Sequence, residues 1–276
     1  QETINQTILG YKLFKKEFKN FIYFPKKNFY LVHKNSQISF DNYRKIFKDF
    51  NLKFTVEKIK NLNNLLNVSE LEGALNTEEG VILLEKLYKN LIKKISKKVT
   101  IYKSTNIKRI NSLNGALFGL KKIFKGYDFI INTTYTNPNL GLERDKFNLK
   151  YELTGMVRIK NPFAKSVGLT IMDGDYCSLY PQNRYYSSLS SVIHTPIIKS
   201  KNFKSILKKK NFIKPEYVID KIVNHAKEFI KLPLELKSKS LIIGNKVKIE
   251  NDKNDQRYSF IKRSNKVISI LCGKLD

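Results

Sequence analysis

The residues best suited to chemistry lie in one stretch, 167–196, which reads VGLTIMDGDYCSLYPQNRYYSSLSSVIHTP. Two turn signals, Asp173-Gly174 and Pro181, divide its strand-forming residues, which predicts three antiparallel strands joined by tight turns. The third strand would run from Tyr185 to His194 and place an imidazole at the edge of a sheet. Tyr180, on the second strand, would line the floor of a pocket on one face.

Both side chains have a chemical and a structural interpretation. An imidazole titrates near neutral pH, so His194 would act as a general base or contact a substrate hydroxyl. The alternative is a hydrogen-bonded histidine at a strand end. Tyr180 would donate a hydrogen bond to a substrate, or it would only fill a half-buried strand. The alternative for the whole stretch is an ordinary antiparallel meander with polar strand ends.

A third candidate lies in a polar corner near the end of the chain, at residues 254–257 (NDQR). Arg257 precedes an apolar strand, 267–271, that would fix the corner in position. The planar guanidinium matches a carboxylate or a phosphate through paired hydrogen bonds, which a lysine cannot reproduce. The alternative is a surface arginine paired with Asp255.

Composition places these residues in a folded globular chain. The 276 residues are 41% hydrophobic and 12% aromatic, enough for a large core. No apolar run approaches the roughly 20 residues of a membrane helix. Cys177 and Cys272 are the only cysteines and lie far apart, so the sequence predicts no metal site and no disulfide framework. A reduced, cytoplasmic setting is the default expectation.

The net charge of +28 raises the question of nucleic-acid binding. Only seven of the 52 basic residues are arginine, the residue best suited to phosphate and base contacts, and the lysines are spread along the whole chain. The pattern therefore favours a solvated basic surface over a nucleic-acid interface. A basic module that binds nucleic acid or another anion stays open as an alternative.

The predicted elements change character twice along the chain. Antiparallel strands follow a helix over residues 2–18, and a second helix is predicted to begin at Thr77 and run to Ser96. The segment 127–134 is an apolar strand that ends in small polar residues, which is typical of a parallel strand facing a ligand crevice. From Asn148 the strands become antiparallel again.

Several stretches carry a resemblance to a known family. They are ETINQTILGYKLFKKEF, GALNTEEGVILLEKLYKNL, KKVTIYKSTNIKRI, YDFIINTTY, MDGDYCSLYP with SSVIHTP, and NDQRYSFIKRSNKVISILCGKLD. Together they resemble FAD-dependent oxidoreductases of the D-amino-acid oxidase and glycerol-3-phosphate dehydrogenase type, over nearly the whole chain.

The resemblance implies an α/β fold with α+β character, in which a partial nucleotide-binding sheet is interleaved with an antiparallel substrate domain. The expected substrate domain comprises residues 1–66 and 148–235. The expected partial FAD-binding domain comprises residues 67–147 and 236–276.

The resemblance also implies roles for individual residues. Ile107 would offer backbone groups to the adenine of FAD, and Thr133 and Thr134 would approach the cofactor from a strand end. Gly273 and Lys274 would place backbone N–H groups near the flavin ring. The position of Arg257 matches a family arginine that holds a substrate carboxylate or phosphate.

One family feature is absent from the sequence. None of its twelve glycines forms the Gly-x-Gly-x-x-Gly spacing that cradles a pyrophosphate at a helix N-terminus. The chain thus resembles a family member without its N-terminal Gly-rich unit, and we expect a fragment that by itself binds FAD weakly or not at all.

The predicted function is oxidation of a small anionic substrate by hydride transfer to flavin. The first alternative is a non-catalytic remnant or partner subunit with the same fold.

Overall fold

The computed structural model describes residues 2–164, 166–250 and 259–272. Its α-helices are α1 (Glu2–Phe18), α2 (Phe40–Asp49), α3 (Leu84–Ile95), α4 (Phe203–Lys210) and α5 (Pro215–Phe229). Short 3-10 helices cover Lys19–Phe21 and Ile59–Leu62.

The strands of the first half are β1 (Ile22–Tyr23), β2 (Lys27–His33), β3 (Phe54–Glu57), β4 (Leu71–Thr77), β5 (Val81–Ile82), β6 (Ile107–Asn111), β7 (Ala116–Gly119), β8 (Ile123–Phe124) and β9 (Ile130–Asn132). The later strands are β10 (Leu149–Lys160), β11 (Val167–Met172), β12 (Cys177–Pro181), β13 (Tyr186–Ser191), β14 (Pro196–Ser200), β15 (Ser240–Ile249), β16 (Phe260–Ser264) and β17 (Val267–Leu271).

Within the described residues, nine strands form one large sheet. Its order is β14-β10-β13-β12-β11-β2-β4-β3, and β15 pairs along β10. Strand β11 runs parallel to β2, whereas β10, β12 and β13 pair in antiparallel fashion. The long strand β10 alternates buried and half-buried residues over its second half, as a strand with two different faces should.

Helix α5 covers one face of this sheet. Pro215 opens the helix in the first turn, where a missing N–H leaves no hydrogen bond unmade. Ile222 and Ala226 are fully buried in the core that α5 forms with the sheet. Burying one side chain the size of Ile222 stabilises the fold by roughly 1.5–3 kcal/mol.

Three smaller sheets complete the described part of the chain. They contain β16-β17-β9, β6-β7-β8 and β1-β5. Strand β17 runs parallel to β9, with Val267 opposite Ile130. A second core lies here, formed by Leu142, Phe147, Val267 and their neighbours.

The mixed sheets and packed helices confirm the predicted α/β class with α+β character. The division into two interleaved domains stays a prediction. The structure places β4 and β15 in the large sheet, although the sequence division grouped their residues with the smaller sheets. Backbone pairing decides this membership, since β15 forms a ten-residue register with β10 that periodicity alone does not reveal.

Two predicted boundaries are wrong. The third strand of the 167–196 stretch ends at Ser191, because the backbone N–H of Thr195 donates to Ser191 O at 2.8 Å and closes a turn. Helix α3 begins at Leu84, because Thr77 is still paired with Phe54 as the last residue of β4.

Candidate functional site

Side-chain alternation separates the large sheet into two faces. On β2, Leu31 belongs to the core under α5, whereas Asn28 and Tyr30 point to the other side. On β12, Leu179 joins that core and Tyr180 points away from it. We call the side against α5 the helix face and the opposite side the polar face.

A row of paired residues crosses the polar face from strand to strand. Tyr180 of β12 lies opposite Ser188 of β13, and Ser188 lies opposite Arg158 of β10. In the other direction, Gly168 of β11 pairs with Asn28 of β2. Since paired residues share a face, polar side chains of four strands meet along one line.

The glycine in this row makes room for its neighbour. Gly168 lies on a strand whose other residues carry side chains, and a Cβ there would overlap Oδ1 of Asn28. The Asn28 amide, which is 1% exposed, therefore lies over the backbone of Gly168. This packing fixes the side-chain orientation of Asn28.

Asn28 and Tyr30 hold one carboxylate at the end of the row. The Nδ2 group of Asn28 donates to Thr77 Oγ1 at 2.9 Å and to Glu79 Oε2 at 3.3 Å. The Tyr30 hydroxyl donates to the same oxygen of Glu79 at 2.5 Å. Glu79 lies in the loop between β4 and β5 and is exposed, so this anchored carboxylate remains open to solvent.

Three phenols lie close enough to Glu79 to be affected by its charge. Burial raises the pKa of Tyr30, Tyr43 and Tyr180, and the Glu79 carboxylate raises each of them further. The buried hydroxyl of Tyr180 lies beside Glu79 without forming a hydrogen bond of normal geometry to it. A phenol in this state is protonated at neutral pH and can donate to a ligand.

The other end of the row carries a positive charge. The guanidinium of Arg158 stacks at 4.0 Å on the ring of Tyr186. Its Nε atom is buried and has no hydrogen-bond acceptor among the described residues. The polar face thus has a carboxylate at one end, a guanidinium at the other, and hydroxyl groups between them.

A second polar edge lies at the carboxyl end of β9. Thr133 and Thr134 are exposed immediately after this strand. Asn132, which is buried, accepts hydrogen bonds from both the N–H and the hydroxyl of Thr134, at 3.0 and 2.8 Å. Its Nδ2 group lies 3.0–3.2 Å from three carbonyl oxygens of the following turn. Asn132 therefore fixes the loop that presents the two threonines.

Tyr135 completes this loop in an unusual backbone conformation. Its φ angle is 59°, in the left-handed region that favours glycine. Its ring packs against the second core, and its hydroxyl accepts a hydrogen bond from Val247 N–H at 3.1 Å. The side chain of Tyr135 is therefore turned into the core and away from the loop that carries the two threonines.

A cavity of about 360 Å³ lies between the β6-β7-β8 sheet and β9. Its lining is apolar and rich in aromatic rings: Tyr102, Thr105, Ile107, Leu117, Phe124, Tyr127, Phe129 and Ile130. Ile107 is thus a lining residue of this cavity, and its contact with adenine stays a prediction.

His194 lies elsewhere, in the turn after β13. Its ring is 5.6 Å from that of His225 on α5, measured between centroids. Burial first, and then the positive charges of His225 and Lys221, lower its pKa, whereas Glu228 acts in the opposite direction. Because His225 lies on the helix face, His194 and Tyr180 lie on opposite sides of the large sheet.

The predicted site residues therefore fall into separate groups. Thr133 and Thr134 share one strand end, Ile107 lines the cavity, Tyr180 lies on the polar face and His194 lies beside α5. Arg257, Gly273 and Lys274 lie outside the described residues. Since Tyr180 and His194 lie on opposite sides of the sheet, one small substrate would not contact both, and the base at His194 stays a prediction.

The described residues contain neither a candidate metal site nor a candidate membrane helix. No group of three or more His, Cys, Asp and Glu side chains there has an arrangement that could hold a metal ion. None of the helices in this part of the chain has the length and apolar content needed to cross a membrane.

Comparison with solved structures identifies the fold. Glycine oxidase from Geobacillus kaustophilus matches with a TM-score of 0.73 and 11% identity, over 99% of this chain and 74% of its own. L-proline dehydrogenase from P. horikoshii matches with a TM-score of 0.64 and 13% identity, over 99% and 73%. L-alpha-glycerophosphate oxidase from Mycoplasma pneumoniae, solved with FAD bound, matches with a TM-score of 0.64 and 13% identity, over 98% and 74%.

This chain has the fold of the FAD-dependent oxidoreductases. No family model matches its sequence, and a search of curated proteins found no match either. The oxidoreductase fold of this chain spans about three quarters of each of those three neighbours.

The residues of this oxidoreductase fold suit part of an FAD molecule. The cavity beside Ile107 is lined by aromatic side chains, and the ring of Tyr135 packs into the core, which leaves the strand-end loop at Thr133 and Thr134 open. The pyrophosphate is the exception, because the sequence has no Gly-rich loop to cradle it.

Sequence reasoning missed Asn28, Glu79 and Arg158. The sequence predicted a helix that begins at Thr77, so Glu79 was interpreted as a residue of the first helical turn and not as a candidate site residue. On β2, Asn28 and Tyr30 alternate with apolar residues, and this alternation could have indicated that Asn28 lies on the polar face. Arg158 alternates in the same way on β10, but only the strand pairing connects it with Tyr180.

Proposed function

We propose that this chain forms most of a flavin-dependent oxidoreductase that oxidises a small anionic substrate on the polar face of the large sheet. The observation that carries the proposal is the polar row, since three neighbouring strands, β12, β13 and β10, turn Tyr180, Ser188 and Arg158 to a face that α5 leaves uncovered. The fold and the aromatic cavity beside Ile107 support FAD as the cofactor.

The chain's own residues would bind and orient the substrate. Tyr180 is a protonated phenol and would donate to a substrate oxygen. Glu79, held by Asn28 and Tyr30, would accept from a substrate hydroxyl or amine. Arg257 would bind the anionic group, and Gly273 and Lys274 would line the flavin side. FAD, when bound, supplies the two-electron acceptor for the substrate carbon.

A flavin-reduction experiment tests this proposal. Small carboxylates and phosphate esters are added anaerobically to FAD-loaded protein, and loss of the oxidised flavin absorbance is followed. Bleaching by one substrate class supports the proposal. A protein that holds FAD stoichiometrically but is reduced by none of them would contradict it.

Variants of Arg257 test the proposed substrate contact. Arg257→Ala removes a charge-assisted hydrogen bond, so kcat/KM should fall about ten- to a hundredfold. Arg257→Lys should recover little, because lysine lacks the planar fork. Unchanged kcat/KM in both variants, with intact flavin content, would mean that Arg257 is a surface residue.

A second candidate is a non-catalytic protein or partner subunit with the same fold. The missing Gly-x-Gly-x-x-Gly spacing favours it, because backbone N–H groups and a helix dipole normally hold the pyrophosphate. Under this alternative, FAD titrated into residues 1–276 should bind weakly or not at all. Copurification of stoichiometric FAD with these residues would contradict it.

A further inference from the structure

The segment 196–215 is rich in lysine and contains no acidic residue. It comprises β14, α4 and the turn that leads into α5. We call residues 203–217, where α4 turns into α5, the basic corner. The lysines of the basic corner are Lys204, Lys208, Lys209, Lys210 and Lys214, and all of them are exposed.

These lysines have no carboxylate partner. Lys201, just before the basic corner, forms a salt bridge with Glu250. Among the described residues, no carboxylate lies within salt-bridge distance of any lysine of the basic corner. Their positive charges therefore face solvent and are available to an anionic partner.

Exposed apolar side chains lie in the same segment. Phe212, in the turn between α4 and α5, is 83% exposed, and Leu207 and Tyr217 are exposed on the two helices. The helix dipole accounts for lysines in the last turn of α4, but not for a phenylalanine in water. Apolar surface that is rimmed by charged residues is a feature of interaction sites.

The turn that carries Phe212 is fixed between two anchors. Ile206, before it, is fully buried, and Ile213, immediately after it, packs against the core under α5. The backbone N–H of Phe212 donates to Lys209 O at 3.1 Å. The phenyl ring is thus presented on an ordered turn, so docking requires little further ordering of the chain.

Lysine and phenylalanine together favour a lipid surface as the partner. Anionic headgroups attract lysines, and an apolar side chain enters the boundary between the headgroups and the acyl chains. Long lysine stems can lie along this boundary while the ammonium groups stay among the headgroups. Nucleic acid fits less well, because the basic corner contains no arginine, the residue best suited to phosphate and base contacts.

We propose that the basic corner docks on a membrane surface that contains anionic lipids, with Phe212 inserted and the lysines among the headgroups. This interaction goes beyond the proposed function and does not depend on it. Because α5 covers the helix face, the start of this helix lies on the opposite side of the large sheet from the polar row. Membrane docking and the proposed substrate contacts therefore use different surfaces.

The test is cosedimentation of residues 1–276 with lipid vesicles at physiological ionic strength. The protein should bind vesicles made of equal amounts of phosphatidylcholine and phosphatidylglycerol, and it should stay in the supernatant with phosphatidylcholine alone. Added salt should weaken the binding, because it screens the lysines from the headgroups. Equal binding to both kinds of vesicle, or binding to neither, overturns the proposal.

A triple variant tests the lysines. Lys208→Gln, Lys209→Gln and Lys210→Gln together remove three charges and keep residues of similar helix propensity. Each lysine near an anionic surface contributes about a factor of five to affinity, so the affinity for the mixed vesicles should fall about a hundredfold. Unchanged affinity in this variant would overturn the proposal.

The matched control lies on α3. Lys86→Gln, Lys89→Gln and Lys93→Gln remove the same charge from exposed positions of another helix. The affinity of this variant for the mixed vesicles should remain close to that of the wild-type protein. An equal loss in both triple variants would mean attraction to the net charge of the chain and would overturn the assignment to the basic corner.

Phe212→Ser tests the inserted ring. It should weaken binding to the mixed vesicles about tenfold, because the apolar ring no longer leaves water on docking. Leu120→Ser is the control, since Leu120 is 74% exposed in the turn between β7 and β8 and is followed by two lysines. An equal loss in both variants would contradict a specific role of Phe212.

Duplex DNA is the competing partner in the same assay. DNA that binds more tightly than the mixed vesicles, through the three lysines of α4 but without a contribution from Phe212, would assign the basic corner to nucleic acid and overturn the proposal. All substituted side chains are exposed, so the urea midpoint of each variant should match that of the wild-type protein. If the triple variant of α4 does not fold, Phe212→Ser decides.

Discussion

The two faces of the large sheet differ in how they surround their polar side chains. The helix face is packed with apolar side chains under α5, and two of the chain's three histidines, His33 and His225, are each 8% exposed there. The polar face keeps Tyr180 beside an exposed carboxylate, Glu79, and carries Arg158 at the other end of the row. The apolar packing that stabilises the fold and the proposed ligand contacts thus lie on opposite faces of one sheet.

Neighbouring residues of β12 provide the sharpest test of this comparison. Leu179 is fully buried on the helix face, and Leu179→Ala should lower the free energy of unfolding by about 2–5 kcal/mol, because it removes apolar contacts and leaves a cavity. Urea denaturation followed by circular dichroism measures this loss.

The control is Tyr180→Phe on the adjacent residue. It removes a hydroxyl that has no hydrogen bond of normal geometry, so the free energy of unfolding should change by less than about 1 kcal/mol. A loss in Tyr180→Phe as large as that in Leu179→Ala would contradict the assignment of the two faces.

Gly168 tests how tightly the polar face is packed. Gly168→Ala should lower the free energy of unfolding by about 1–3 kcal/mol, because the new methyl group displaces the Asn28 amide. Adding Asn28→Ser should recover part of the loss by freeing the space over residue 168. If the double variant is no more stable than Gly168→Ala, the strain lies in the backbone and not in the contact with Asn28.

Tyr30→Phe tests the anchoring of Glu79. Loss of the hydrogen bond from the Tyr30 hydroxyl should reduce the free energy of unfolding by about 0.5–1.5 kcal/mol, towards the lower value because Glu79 is exposed. Glu79→Gln provides the comparison, and in a double-mutant cycle the two changes should be non-additive. Strict additivity would mean that the contact contributes nothing.

The smallest expected effect is the contribution of His194, on the helix face, to the pH dependence of stability. The pKa of His194 is lowered in the folded protein by burial and by the charges of His225 and Lys221, with Glu228 opposing them. The unfolded state therefore binds a proton more readily, and stability should fall as pH drops below about 6.5.

His194→Gln should make the urea midpoint less sensitive to acid between about pH 7.5 and pH 5.5. His225→Gln is the matched comparison, since it removes one of the charges that act on His194. An acid sensitivity in His194→Gln equal to that of the wild-type protein would assign the titration to other groups.

Much of the helix face could be predicted from sequence. The apolar stripe of 215–230 and the opening proline define α5, and the alternation on β2 and β12 defines which side chains face it. The spacing of apolar residues predicts such helices and strands, because burial of their apolar face is what stabilises them.

The polar row could not be predicted in the same way. Asn28, Gly168, Tyr180, Ser188 and Arg158 come from five strands and meet only through register. The same hydrophobic pattern allows several pairings, and a shift of two residues would preserve the faces while separating Tyr180 from Arg158.

The sequence by itself determined the secondary structure class, the apolar core and the absence of a Gly-x-Gly-x-x-Gly loop. The tertiary structure decided that His194 lies beside α5, that Tyr180 lies beside Glu79, and that Arg158 shares a row with both serine and tyrosine. The physical reason is that local patterns record which side chains avoid water, whereas contacts between distant strands depend on backbone pairing that no local pattern records.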